Sequence, residues 1–93
     1  MVQFDLIDGE FSTEEAREIL MNLFSEKIRF HEVQILAKQE RREFGIERHE
    51  ERIAALKACR DQIKGILEEA GDGSDTIQLN AQLSLKINKH LTA

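Results

Sequence analysis

An α+β fold, with its elements in the order strand–helix–helix–strand, follows from three features of the sequence. The N-terminal residues alternate apolar and polar, a helix-start signal at Ser12 opens a long apolar-rich stretch, and residues 77–88 alternate again over twelve positions. Period two marks strands with one face buried and one wet, whereas the wide apolar arc between them suits helices packed on neighbours.

The first strand is expected over about 2–7. Val2, Phe4 and Leu6 point one way, Gln3 and Asp5 the other, and Asp8-Gly9 reads as a closing turn. The helix that follows is announced by a capping box. Ser12 is placed to accept from the Glu15 N–H, and the Glu15 carboxylate to accept from the Ser12 N–H. Glu14, Glu15 and Glu18 lie where the helix dipole favours negative charge, and Phe11 is positioned to fold onto the first turn.

Helix 1 is predicted over about 12–43. Its apolar residues (Ala16, Ile19, Leu20, Leu23, Phe24, Ile28 and onward to Ala37) cover more than one stripe. Beyond Ala37 the pattern lapses, and a tip is expected at about 38–48. Lys38, Arg41 and Arg42 suit a helix C-terminus, and Gly45 is the residue that takes a left-handed cap without strain. Helix 2 is predicted over about 47–70. Leu56, Cys59, Ile63, Ile66 and Ala70 alternate steps of three and four, a coiled-coil seam that Ile53 and Leu67 widen. Gly65 weakens this helix by ~1 kcal/mol relative to alanine and leaves room for another backbone. The turn cluster Gly71-Asp72-Gly73-Ser74, within a turn at 71–75, ends it, and the second strand is expected over about 76–88.

Short connections make the helices a long antiparallel hairpin and set the strands side by side as a small antiparallel sheet. A single helix over 12–70 would be a rod of ~88 Å, and the lapse in apolar spacing at 38–52 argues against it. The whole chain, 1–93, reads as one domain without repeats or linkers.

That domain looks incomplete by itself. Helices of ~25–33 residues span ~37–50 Å, whereas a compact chain of this length has a radius of gyration of ~12 Å. A second strand twice as long as the first also leaves half of it unpaired, and Thr76–Leu85 carries no charge or proline to blunt an edge. A homodimer with a shared sheet and a four-helix layer answers both mismatches. The residues assigned to the dimer interface are Leu56, Cys59, Ile63 and Ile66 on helix 2, and Leu79, Leu83 and Leu85 on strand 2.

Composition bounds the chemistry. Thirteen basic and eighteen acidic residues leave a net charge of −5, located in residues 1–37, where eight acids meet three bases. No run approaches the ~20 apolar residues of a membrane span, and the N-terminal segment lacks the basic-then-apolar layout of a signal peptide. One cysteine forms no intrachain disulfide or multi-cysteine zinc site. A reduced, cytoplasmic setting is therefore expected.

Candidate sites are few. The residues three before His31, His49 and His90 are all isoleucine, so the Glu-x-x-His pattern of dinuclear bundles is absent, as is a four-residue histidine pair. No cofactor or metal is expected. Cys59 lies on the apolar seam and is expected to be a core side chain. The tip, with Arg41, Arg42, Phe44, Ile46 and Arg48, is the candidate partner epitope. Residues 38–52 balance five bases against five acids, and without Tyr or Trp base stacking is poorly served, so nucleic acid is an unfavoured partner.

The functional expectation is a non-enzymatic homodimeric interaction or structural module. The alternatives are a small nucleic-acid-associated regulator acting through the arginine-rich tip, and an enzyme accessory subunit with an inter-protomer site built on His31 and nearby acids.

Overall fold

The computed structural model describes residues 1–70 and 75–91. Its elements are β1 (Val2–Ser12), α1 (Thr13–Arg41), α2 (Ile46–Glu69) and β2 (Thr76–Leu85). The expected strand–helix–helix–strand order holds, the helices pack as a hairpin, and the strands form a two-stranded antiparallel sheet. The turn cluster read at 71–74 lies outside the described residues.

β1 corrects the expected strand of residues 2–7. It runs through Asp8-Gly9 to Ser12, pairing from Val2 with Leu85 to Ser12 with Thr76. All of β2 therefore has a partner within the chain, and the predicted overhang does not exist. The second strand ends at Leu85 rather than 88, since Val2 is the last residue of β1 that can face it.

A bulge explains why the sequence hid the first strand's length. Asp5 faces Gln82 and Ile7 faces Ala81, so Leu6 has no opposite residue. An extra residue inverts the side-chain alternation beyond it. Val2 and Phe4, at even positions, thereby share a face with Ile7, Gly9 and Phe11, at odd ones. The pairs Val2/Leu85, Phe4/Leu83, Ile7/Ala81, Gly9/Leu79 and Phe11/Ile77 make one apolar face. The opposite face pairs Gln3/Ser84, Asp5/Gln82, Asp8/Asn80, Glu10/Gln78 and Ser12/Thr76. With its amide nitrogen turned toward β1, Asn80 donates to Asp8 Oδ1 at 2.7 Å.

The capping box forms as expected. Glu15 N–H donates to Ser12 Oγ at 3.0 Å and Ser12 N–H donates to Glu15 Oε1 at 2.9 Å. These bonds, the backbone one foremost, hold the Glu15 carboxyl below its ordinary range. Ser12 is the cap, as expected, and α1 begins at Thr13, so β1 passes into α1 without a loop.

At the far end Arg42, not Gly45, carries the left-handed cap of α1, with φ 56° and ψ 40°. The Glu43 N–H then reaches back to the Lys38 carbonyl at 2.8 Å. Gly45 has its own left-handed conformation, φ 96°, at the entry to α2. Lys38 and Arg41 occupy the last turn of α1, where cations suit the helix dipole.

The core is small and lies between the helices. Phe24, Ile28 and Leu56 form it, with Ile53 and Ile63 packed against its margin. Nearer the sheet, Ala16 and Leu67 are also buried. Of the two helices α1 is the one that meets the strands. The result is an elongated body of 58 × 30 × 15 Å with a radius of gyration of 17.3 Å.

Two glycines give opposite expectations. A Cβ at Gly65 would meet nothing within 4 Å, so Gly65→Ala should raise stability by about 1 kcal/mol through helix propensity. Gly45→Ala should lower it by about 1–2 kcal/mol, because its backbone is left-handed. Urea denaturation of the two variants checks the pair of signs.

Candidate functional site

The apolar sheet face is covered unevenly. Phe11, Ile77, Leu79, Ile7 and Ala81, toward the start of α1, are half-buried, whereas Val2, Phe4, Leu83 and Leu85 at the other end are 42–55% exposed. The bulge residue Leu6 and the trailing Ile87 are exposed beside them. The cause is geometric. β1 enters α1 directly at Ser12, so the hairpin starts at one end of a ten-residue ladder and leaves the other end open. Large exposed apolar side chains gathered at one end of a sheet suggest a surface for a partner.

The expected helix-2 seam is divided by the structure. Leu56 is turned into the chain's own core and Ile63 packs at its edge. Ile66 is exposed, and so is Cys59, which corrects its placement as a core residue. On strand 2, Leu79 is half-buried while Leu83 and Leu85 stand open. α1 adds Phe30, Val33 and Leu36, all exposed.

At the tip, Phe44 is 97% exposed and Arg41, Arg42 and Arg48 reach solvent, but Ile46 is half-buried. Glu43 takes up part of the positive charge, at 3.9 Å from Lys38 Nζ and 3.8 Å from Arg41 Nη1. Lys38 Nζ also donates to the Phe44 carbonyl at 3.4 Å. Exposed pairs of this length contribute at most ~1 kcal/mol. Their effect here is to reduce the local cationic excess that phosphate binding requires.

One polar constellation is not foreshadowed by spacing. His31 on α1 and His49 on α2 approach with Nδ1···Nδ1 of 2.9 Å, ring centroids 5.1 Å apart. A hydrogen bond between two imidazole nitrogens needs one donor and one acceptor, so a single proton is shared between the two Nδ1 atoms. Phe30 meets the His31 ring edge-on at 5.3 Å. One turn along α1 from His31 lie Lys27, Ile28, Gln34 and Ile35. One turn from His49 along α2 lie Gly45, Ile46, Arg52 and Ile53. No carboxylate stands at any of these positions.

The charged side chains that act on the His31 proton are the cations Arg52 and Lys27, while Glu26 lines the same pocket as His31. Burial, then His49, Arg52 and Lys27, hold its imidazolium form down, so its pKa is lowered from the ordinary value. Chemically the pair can carry or release a proton. Among the described residues no three His, Cys, Asp or Glu side chains converge to hold a metal ion.

No described helix is long and apolar enough to cross a membrane. Comparison with protein-family models, with curated proteins and with solved structures finds no match.

The histidine pair makes a pH prediction of definite sign. His31 binds its proton less readily folded than unfolded, so stability is fully present above the unfolded pKa of ~6.5 and falls as the solution is acidified through the lowered folded value. The urea midpoint should therefore drop between pH 7.5 and 5.5, and His31→Gln should flatten that dependence. In an NMR titration, His49→Gln should move the His31 midpoint back toward its ordinary value.

Proposed function

We propose that the chain is a non-enzymatic interaction or structural module that works as a homodimer. The observation that carries this reading is its surface. The chain exposes 7806 Å², against roughly 5,500 Å² for a compact monomer of its 10.7 kDa. The surplus, about 2,300 Å², is more than one partner contributes to a standard interface of about 800 Å² per side. The exposed residues include large apolar ones at the open end of the sheet face, and Phe30, Val33, Leu36 and Ile66 on the helices.

An unpaired half-strand does not support the dimer, because β2 is fully paired by β1. What supports it is a face whose apolar rows outrun the helix that covers them. Closed two-fold dimers are the commonest way for one chain to cover such a surface.

Multi-angle light scattering at micromolar concentration should give twice the 10.7 kDa chain mass. A mass of one chain, with the far-UV circular dichroism of a folded protein, would sink the reading.

A further inference from the structure

We propose that two copies join edge to edge through β2, forming one four-stranded antiparallel sheet in the order β1–β2–β2–β1. The occupant of the free β2 edge is thus the β2 of a second copy. This rests on the dimer reading above and adds the surface and the register to it.

The first observation is the chemistry of the two edges. The sheet has two strands, so each presents one outer edge. β2, Thr76–Leu85, contains no charged residue and no proline, the devices that stop strands from pairing. β1 carries Asp5, Asp8 and Glu10. Joining two β1 edges would crowd these carboxylates on one face, where like charges opposite each other are unfavourable. The two edges are therefore not equivalent, and β2 is the one open to its own copy.

The second observation is phase. A two-fold axis normal to the sheet makes neighbouring strands antiparallel and keeps both apolar faces on the same side. Directly opposed residues share a face. The odd-numbered apolar residues of one β2 must then oppose odd-numbered residues of the other, so the axis lies midway between a residue and its own copy. Of the two central positions, Asn80 and Ala81, only Ala81 sets the covered end at Ile77 directly against the open end at Leu85. With Ala81 at the axis, it faces the partner's Ala81, Leu79 faces the partner's Leu83, and Ile77 faces the partner's Leu85. That register pairs β2 over nearly its whole length.

The third observation is coverage. Along one copy the apolar face passes from half-buried at Ile77 to open at Leu85. Antiparallel joining reverses this gradient in the second copy. The open end of each face comes beside the covered end of the other, with strands ~4.8 Å apart. The same operation that joins the edges therefore brings the second hairpin toward Leu83 and Leu85. Stacking the two open patches face to face would also hide them, but would leave both uncharged edges unpaired.

Cross-linking reads the register directly. In a Cys59→Ser background, Ala81→Cys should give disulfide-linked dimer as the main product of mild oxidation. Leu79→Cys and Leu83→Cys should each cross-link poorly alone and efficiently when mixed, because each opposes the other across the axis. Light scattering and circular dichroism on each variant show whether it is dimeric and folded. A dimer in which Leu83→Cys links to itself and the mixture gives no gain overturns the edge-joined sheet in favour of stacked faces. A dimer that links through Ile66→Cys, and not through Ala81→Cys, overturns it in favour of the helices. A folded monomer removes the dimer reading itself, and this inference with it.

Discussion

The apolar face of the sheet is longer than the helix that covers it, and this mismatch decides what the chain exposes. Ten paired positions alternate without interruption between apolar and polar rows, giving five apolar rows on one face. α1 begins at Thr13, immediately beyond the last row, and shelters only the near end. Burying the remaining side chains, at ~1.5–3 kcal/mol for each large one fully buried, is a favourable term left unrealised in the chain. The helix hairpin does not supply it, because its own core of Phe24, Ile28 and Leu56 is already directed between the helices.

The bulge at Leu6 is what makes the face continuous. Without a change of phase, Val2 and Phe4 would lie on the wet side relative to Ile7 and Phe11, and neither face would be apolar throughout. A single unpaired residue thus aligns two short alternating segments into one ladder. The same residue misleads a reader of the sequence. Val2, Phe4 and Leu6 look like one strand that ends at Asp8-Gly9, since nothing local distinguishes a bulge followed by more strand from a strand followed by a turn.

Signals local in sequence are legible in advance: the Ser12–Glu15 capping box, the basic last turn of α1, and the long alternation of β2. Features set by packing are not. Gly45 was the natural residue for the left-handed cap of α1, yet Arg42 adopts it, and the connection then folds back along the helix through Glu43 and Lys38. That fold-back brings His49, close to the start of α2, level with His31, well before the end of α1. The pair is legible only once the hairpin's register is known. Cys59 shared the spacing of the helix-2 seam, but spacing alone does not say which residues of a wide arc face the partner helix; Leu56 does and Cys59 does not.

In the proposed dimer a second copy covers the open end of the sheet face. Isotope-filtered NOE spectroscopy on a mixture of labelled and unlabelled protein detects such contacts between molecules. Contacts are expected between the methyl groups of Leu79 in one molecule and Leu83 in the other, in a species tumbling as a dimer. Sheet-face contacts confined to single molecules, in a folded species tumbling as a monomer, would contradict this dimer.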